Sequence, residues 1–116
     1  MVKLGALSLL AALAALPAYA CGVMETAEPR VGSTVPAPER LLLHFSQPVS
    51  PAASHVIIAD AAGTHSKTGP LASIDNGKAL SLTTPALKAG TYKVTWNVLW
   101  VDCDSKSKGS YSFTIE

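Results

Sequence analysis

Residues 90–101 constrain the fold more than any other stretch of this chain. In Gly90-Thr-Tyr-Lys-Val-Thr-Trp-Asn-Val-Leu-Trp-Val101, the residues Tyr92, Val94, Trp96, Val98 and Trp100 recur at every second position. Successive side chains leave a strand on opposite faces, so a period of two describes a β-strand with one face buried. The pattern returns in Glu39 to Ser46, where Leu41, Leu43 and Phe45 share one face and Leu42, His44 and Ser46 the other. It returns again in Ser110 to Glu116, which aligns Tyr111, Phe113 and Ile115, and two shorter apolar segments, His55 to Asp60 and Ala79 to Thr84, complete the set. Turn residues punctuate these segments: Pro29 to Ser33, Pro36 to Pro38, Pro48 to Pro51, Ala61 to Gly63, Asp75 to Gly77, Lys88 to Gly90 and Ser105 to Gly109. Short alternating segments separated by such turns predict an all-β domain with a two-sheet core. Each large apolar side chain buried there contributes about 1.5 to 3 kcal/mol, offset by the entropy of ordering the chain.

Residues 1–20 read as a targeting segment and stand outside the domain. Lys3 precedes the apolar run Leu4 to Leu16, then Pro17 and the small-residue site Ala18-Tyr19-Ala20, the layout of a secretory signal peptide. The run is shorter than the roughly 18 to 20 apolar residues of a spanning helix, so export with cleavage is expected rather than a membrane-embedded protein. Cleavage after Ala20 makes Cys21 the first mature residue. A cysteine at that position can also be lipidated, although Ala18 and Tyr19 match the usual lipoprotein signal poorly. Residues 21–116 then form one domain, a length at which a single sandwich is stable. The formal net charge of +1 and the lack of a basic stripe argue against nucleic acid as a partner. The chain has two cysteines, Cys21 and Cys103, for which export favours pairing and allows one connectivity.

Four blocks in order carry a more specific resemblance. They are Thr26-Ala-Glu-Pro29-Arg-Val-Gly32-Ser33, Leu43-His-Phe-Ser-Gln-Pro-Val49, Leu87-Lys-Ala-Gly-Thr-Tyr-Lys-Val-Thr-Trp96 and Gly109-Ser-Tyr-Ser-Phe113. Together they span nearly all of residues 21–116 and resemble the CopC family of periplasmic copper-resistance proteins. The Gly-Thr-Tyr step at residues 90–92 also resembles the tyrosine corner of many sandwiches. The resemblance implies an Ig-like or cupredoxin-like Greek-key β-sandwich of about seven strands, a periplasmic monomer, copper as ligand and a CopD-like inner-membrane copper transport protein as partner.

It also implies where the copper(II) ligands belong. In the family they are the amino group and imidazole of an N-terminal histidine, with the aspartate and histidine of an Asp-Gly-His motif after the long tryptophan-bearing strand. Here Cys21 stands at the first position, and the motif reads Asp102-Cys103-Asp104. One side-chain ligand of three survives, and carboxylates do not replace the nitrogen field that copper(II) prefers. If the family fold holds, residue 21 and the 102–104 loop lie close together. Three states of the cysteines are then open: a permanent disulfide with no metal, a reduced pair offering a soft copper(I) site with Asp102 or Asp104 nearby, or lipidated or free thiols.

Other residues carry less chemistry. His44 belongs to the outward face of its strand, while His55 and His65 are isolated. Trp96 and Trp100 read as core, and Ser105 to Lys108 as a solvated loop. The chain lacks G-x-S-x-G, H-E-x-x-H, a phosphate-binding glycine loop and Cys-x-x-Cys. Carboxylates on both sides of Cys103 disfavour a reactive thiolate, so no enzyme is expected. The expected function is that of a copper-homeostasis accessory protein with Cys21, Asp102, Cys103 and Asp104 in place of the histidine site. The alternative is a metal-free, disulfide-stapled interaction module.

Overall fold

The alternation of the sequence folds into two packed β-sheets. The computed structural model describes residues 21–116, and the targeting segment expected over residues 1–20 lies outside them. In chain order the strands are β1 (Met24–Glu28), β2 (Thr34–Val35), β3 (Arg40–Phe45), β4 (His55–Ala59), β5 (His65–Ser66), β6 (Ala72–Ile74), β7 (Ala79–Thr83), β8 (Gly90–Trp100) and β9 (Ser105–Ile115). One sheet has the order β1-β3-β7-β6 and the other β2-β9-β8-β4-β5. All pairings are antiparallel except that of β2 with β9. The described residues thus hold nine strands where about seven were expected. The additional elements are short strands of two to five residues at or near the sheet edges, where too few side chains are buried to leave a period in the sequence.

The core lies where the periodicity places it. Leu41, Leu43 and Phe45 of β3 and Leu80 and Leu82 of β7 pack against the inward rows of β4, β8 and β9, including all five residues of the 92–100 series. Phe45 sits edge-on to two indoles, with ring centroids 5.4 Å from Trp96 and 5.7 Å from Trp100 and interplanar angles of 77° and 81°. Such edge-to-face pairs add about 0.5 to 1.5 kcal/mol each beyond the area they bury. At the start of β8 the Tyr92 hydroxyl donates to the Lys88 carbonyl at 2.8 Å, four residues upstream, as in a tyrosine corner.

Residues 105–108 are not a solvated loop but the first part of β9. Trp100 pairs with Ser105, Leu99 with Lys106, Val98 with Ser107 and Asn97 with Lys108, so the β8–β9 ladder continues to its tip. The inward positions here are small because the tryptophans need the room. Ser107 Oγ accepts a hydrogen bond from Trp100 Nε1 at 2.8 Å, and a Cβ at Gly109 would stand only 2.5 Å from the Trp96 ring. Lys106 and Lys108 alternate outward to solvent. A period of two is therefore present, but Ser and Gly do not mark it as hydrophobic.

The tip of β8 is held on both edges. Strand β4 pairs with β8 only as far as Asn97. Beyond it, the Leu99 amide donates to Ser54 Oγ at 3.1 Å, the Ser50 amide donates to the Leu99 carbonyl at 3.0 Å, and the Val101 amide donates to the Pro48 carbonyl at 3.1 Å. These bonds satisfy backbone groups that would otherwise face the solvent at the end of the sheet. They also fix the turn that follows, residues 101–104.

Two predictions follow from this packing. Gly109→Val should destabilise the fold by about 1 to 3 kcal/mol through overpacking against Trp96, read as a lower denaturation midpoint with an unchanged slope. Tyr111 is buried, which pushes its phenol pKa upward, and its hydroxyl has no protein hydrogen-bond partner among the described residues. Because the folded phenol is the harder one to ionise, its contribution is complete below the unfolded tyrosine pKa of about 10 and declines as pH rises above it. Tyr111→Phe should therefore fold at neutral pH and lose less stability than the parent in alkaline melts. An identical alkaline decline in both proteins would refute that role.

Candidate functional site

Chemistry-bearing residues converge at the end of the sandwich where the β8–β9 turn meets the beginning of the described chain. Three local features bring residue 21 there. The Val23 amide donates to Ser46 Oγ at 2.9 Å, and the Ser46 amide donates to the Val23 carbonyl at 2.9 Å, which ties the entry of β1 to the exit of β3. Gly22 lies so close to its neighbours that a Cβ would stand 2.7 Å from Ser46 Oγ and 3.1 Å from the Trp100 ring. Only glycine allows the backbone to approach that near. The segment therefore runs directly over the end of the core before reaching Cys21.

Cys21 and Cys103 are joined by a disulfide with Cα atoms 6.0 Å apart, closing a sequence separation of 82. Cys21 is half-buried and packs against the core cluster, whereas Val101, Asp102, Cys103 and Asp104 are all exposed. Asp104 closes the turn with φ of 48°, a left-handed conformation that aspartate tolerates better than most residues. The structure thus brings all four sequence-derived site residues to one end of the molecule, two of them covalently linked. The clamp made by Gly22, Ser46 and Trp100 was not anticipated; its one sequence signal is a glycine directly after the cysteine.

The histidines lie elsewhere. His44, on the outer face of β3, has Nε2 3.5 Å from Glu28 Oε2, and His55 and His65 are exposed on β4 and β5. Among the described residues, no group of three or more His, Cys, Asp or Glu side chains is arranged to hold a metal ion. The chemistry of the site agrees with that geometry, because the thiolate is the metal-binding form of cysteine and a disulfide has none. With the bond closed, the donors left at this end are two exposed carboxylates. They do not fit copper(II), which favours imidazole nitrogen.

Residues 24–116 match the family model for the CopC domain. The chain belongs to the CopC family. Among solved structures it resembles CopC from Methylosinus trichosporium OB3b, with a TM-score of 0.76 and 30% identity over 82% of this chain and 93% of that one. It also resembles PcoC, a methionine-rich copper resistance protein from Escherichia coli, with a TM-score of 0.74 and 24% identity over 84% of this chain and 100% of that one. A part of the surface layer protein SbsC shares the fold at a TM-score of 0.59 and 17% identity, covering 87% of this chain and 14% of that one. No curated protein sequence matches significantly. The CopC-type β-sandwich expected from the four sequence blocks is therefore the fold of this chain.

The disulfide stabilises by restricting the unfolded chain, and a loop of this size gives about 4.5 kcal/mol in the chain-entropy model. Reduction, or Cys103→Ser, should lower unfolding free energy by roughly 2 to 4 kcal/mol, measured by denaturant melts of oxidised, reduced and variant protein. Superimposable melts would show that the bond restrains nothing beyond what the Val23–Ser46 hydrogen bonds already hold.

Proposed function

We propose that this CopC-family chain is an exported, non-catalytic copper-homeostasis protein of the bacterial periplasm whose copper site has changed from imidazole to sulfur. The observation that carries the reading is the Cys21–Cys103 disulfide. It links the two places from which the family resemblance draws its copper(II) ligands, the first mature residue and the motif after β8. In the oxidised state the site lacks the imidazole donors that copper(II) favours. In the reduced state it offers two thiolates and, after cleavage at Ala20, the α-amino group of Cys21. That donor set is soft and suits copper(I), with Asp102 and Asp104 supplying negative charge beside it.

A CopD-like inner-membrane protein is the proposed recipient or source of the metal, and copper is cargo rather than a resident cofactor. The closed disulfide also bears on the form of the mature chain, since an acylated Cys21 sulfur is unavailable for the bond. On this reading the mature chain is a soluble monomer that starts at Cys21. The same disulfide supports one other reading, in which the bond is permanent and the sandwich is a metal-free module that binds a periplasmic or membrane partner.

Copper titrations separate the two. The oxidised protein should bind copper(II) far more weakly than a CopC protein bearing the histidine ligands, and the reduced protein should bind one copper(I) per chain in competition with a chromophoric chelator. The triple variant Cys21→His, Cys103→Gly, Asp104→His restores the family's donors and should form a tight one-to-one copper(II) complex. Tight copper(II) binding by the oxidised parent would contradict the reading of the substitutions. A reduced protein that ignores copper(I) would favour the metal-free module.

A further inference from the structure

We propose that the disulfide opens in one direction: an incoming dithiol attacks Cys103 Sγ, and Cys21 departs as the thiolate. The inference rests on the proposed redox-gated site. It makes Cys103 the point at which a thiol partner becomes covalently attached.

Two features act together. The first is access: Cys103 is exposed in the β8–β9 turn, whereas Cys21 is half-buried against the core, with Gly22 pressed onto Trp100 and Ser46 behind it. Exchange requires the nucleophile to reach the back of the sulfur it attacks, and the exposed turn leaves more room for this at Cys103. The second is the charge on the leaving group. In the displacement, negative charge resides on the attacking and departing sulfurs rather than on the central one, and the more stable thiolate leaves faster. Cys103 lies between Asp102 and Asp104, whose carboxylates oppose charge on its sulfur. Cys103 is thus the better central sulfur and Cys21 the better leaving group.

The step balances as follows. A thiolate of the dithiol forms a bond to Cys103 Sγ, the Cys21–Cys103 bond breaks, and Cys21 takes the electron pair and then a proton. The second thiol of the reductant, as its thiolate, attacks the reductant's own sulfur in the mixed disulfide and expels Cys103 as a thiolate, which is protonated in turn. The dithiol loses two electrons and two protons to become a disulfide, and the protein gains them as two thiols, the form that the proposed copper(I) site requires.

A monothiol stops the reaction at the mixed disulfide and reports its direction. Oxidised mature protein would be pulsed with 2-mercaptoethanol, quenched in acid, alkylated with N-ethylmaleimide and mapped by peptide mass. The expected result is mercaptoethanol on Cys103 and maleimide on Cys21, at least tenfold over the reverse at the shortest times. Equal labelling, or an adduct mainly on Cys21, overturns the proposal while leaving the copper(I) titration unaffected. Two free thiols in the protein as isolated would overturn this inference and the redox-gated site together.

Discussion

The β8–β9 ladder is the constraint on which the rest of this molecule depends. Its eleven paired positions supply the largest inward row of the sandwich and carry the chain out to the turn that bears Cys103. Trp96 and Trp100 project from it onto Phe45 of the opposite sheet, so the two layers meet through an aromatic cluster whose geometry leaves little freedom. Trp100 is both the last inward residue of β8 and the floor beneath Gly22. The packing that holds the sheets together also supports the segment leading to the disulfide.

The sequence revealed this framework unevenly, for physical reasons. Large side chains at alternate positions identified β3, β8 and the second half of β9, because burial of one strand face requires apolar residues there. The first half of β9 obeys the same rule with Ser105, Ser107 and Gly109 turned inward, but in sequence it reads as a loop because small residues beneath an indole look like turn residues. Strands β2, β5 and β6 have two or three residues each, too few for a period to be seen. The cysteine pairing had another source. Composition and export favoured a bond, but the closeness of residues 21 and 103 was an implication of the family resemblance, since no local pattern relates positions so far apart. The Gly22–Ser46–Trp100 contacts were illegible without coordinates.

On the proposed reading, replacing imidazole by sulfur alters what governs the site. A histidine site for copper(II) is available whenever its imidazoles are deprotonated, so metal and proton activity control occupancy. A pair of cysteines adds a covalent state in which the donors are absent. On the proposed reading, occupancy depends first on thiol–disulfide exchange and only then on copper, and the oxidation state of the ligands selects the softer ion.

Such a site must keep its donors together after the bond that joins them has opened. The disulfide alone does not achieve this, because its stabilising effect ends when it is reduced. The hydrogen bonds between Val23 and Ser46 and the contact of Gly22 with Trp100 do not involve sulfur, and they anchor the chain one and two residues from Cys21. On the other side, the pairing of β8 with β9 and the bonds from Val101 and Leu99 to the 48–54 segment fix the turn that carries Cys103. A cysteine tethered so closely has few conformations to lose when it binds, so the entropic cost of bringing two thiolates to one ion is met mostly by folding. On the proposed reading, the features that make the disulfide easy to form therefore also pre-organise the reduced pair as ligands.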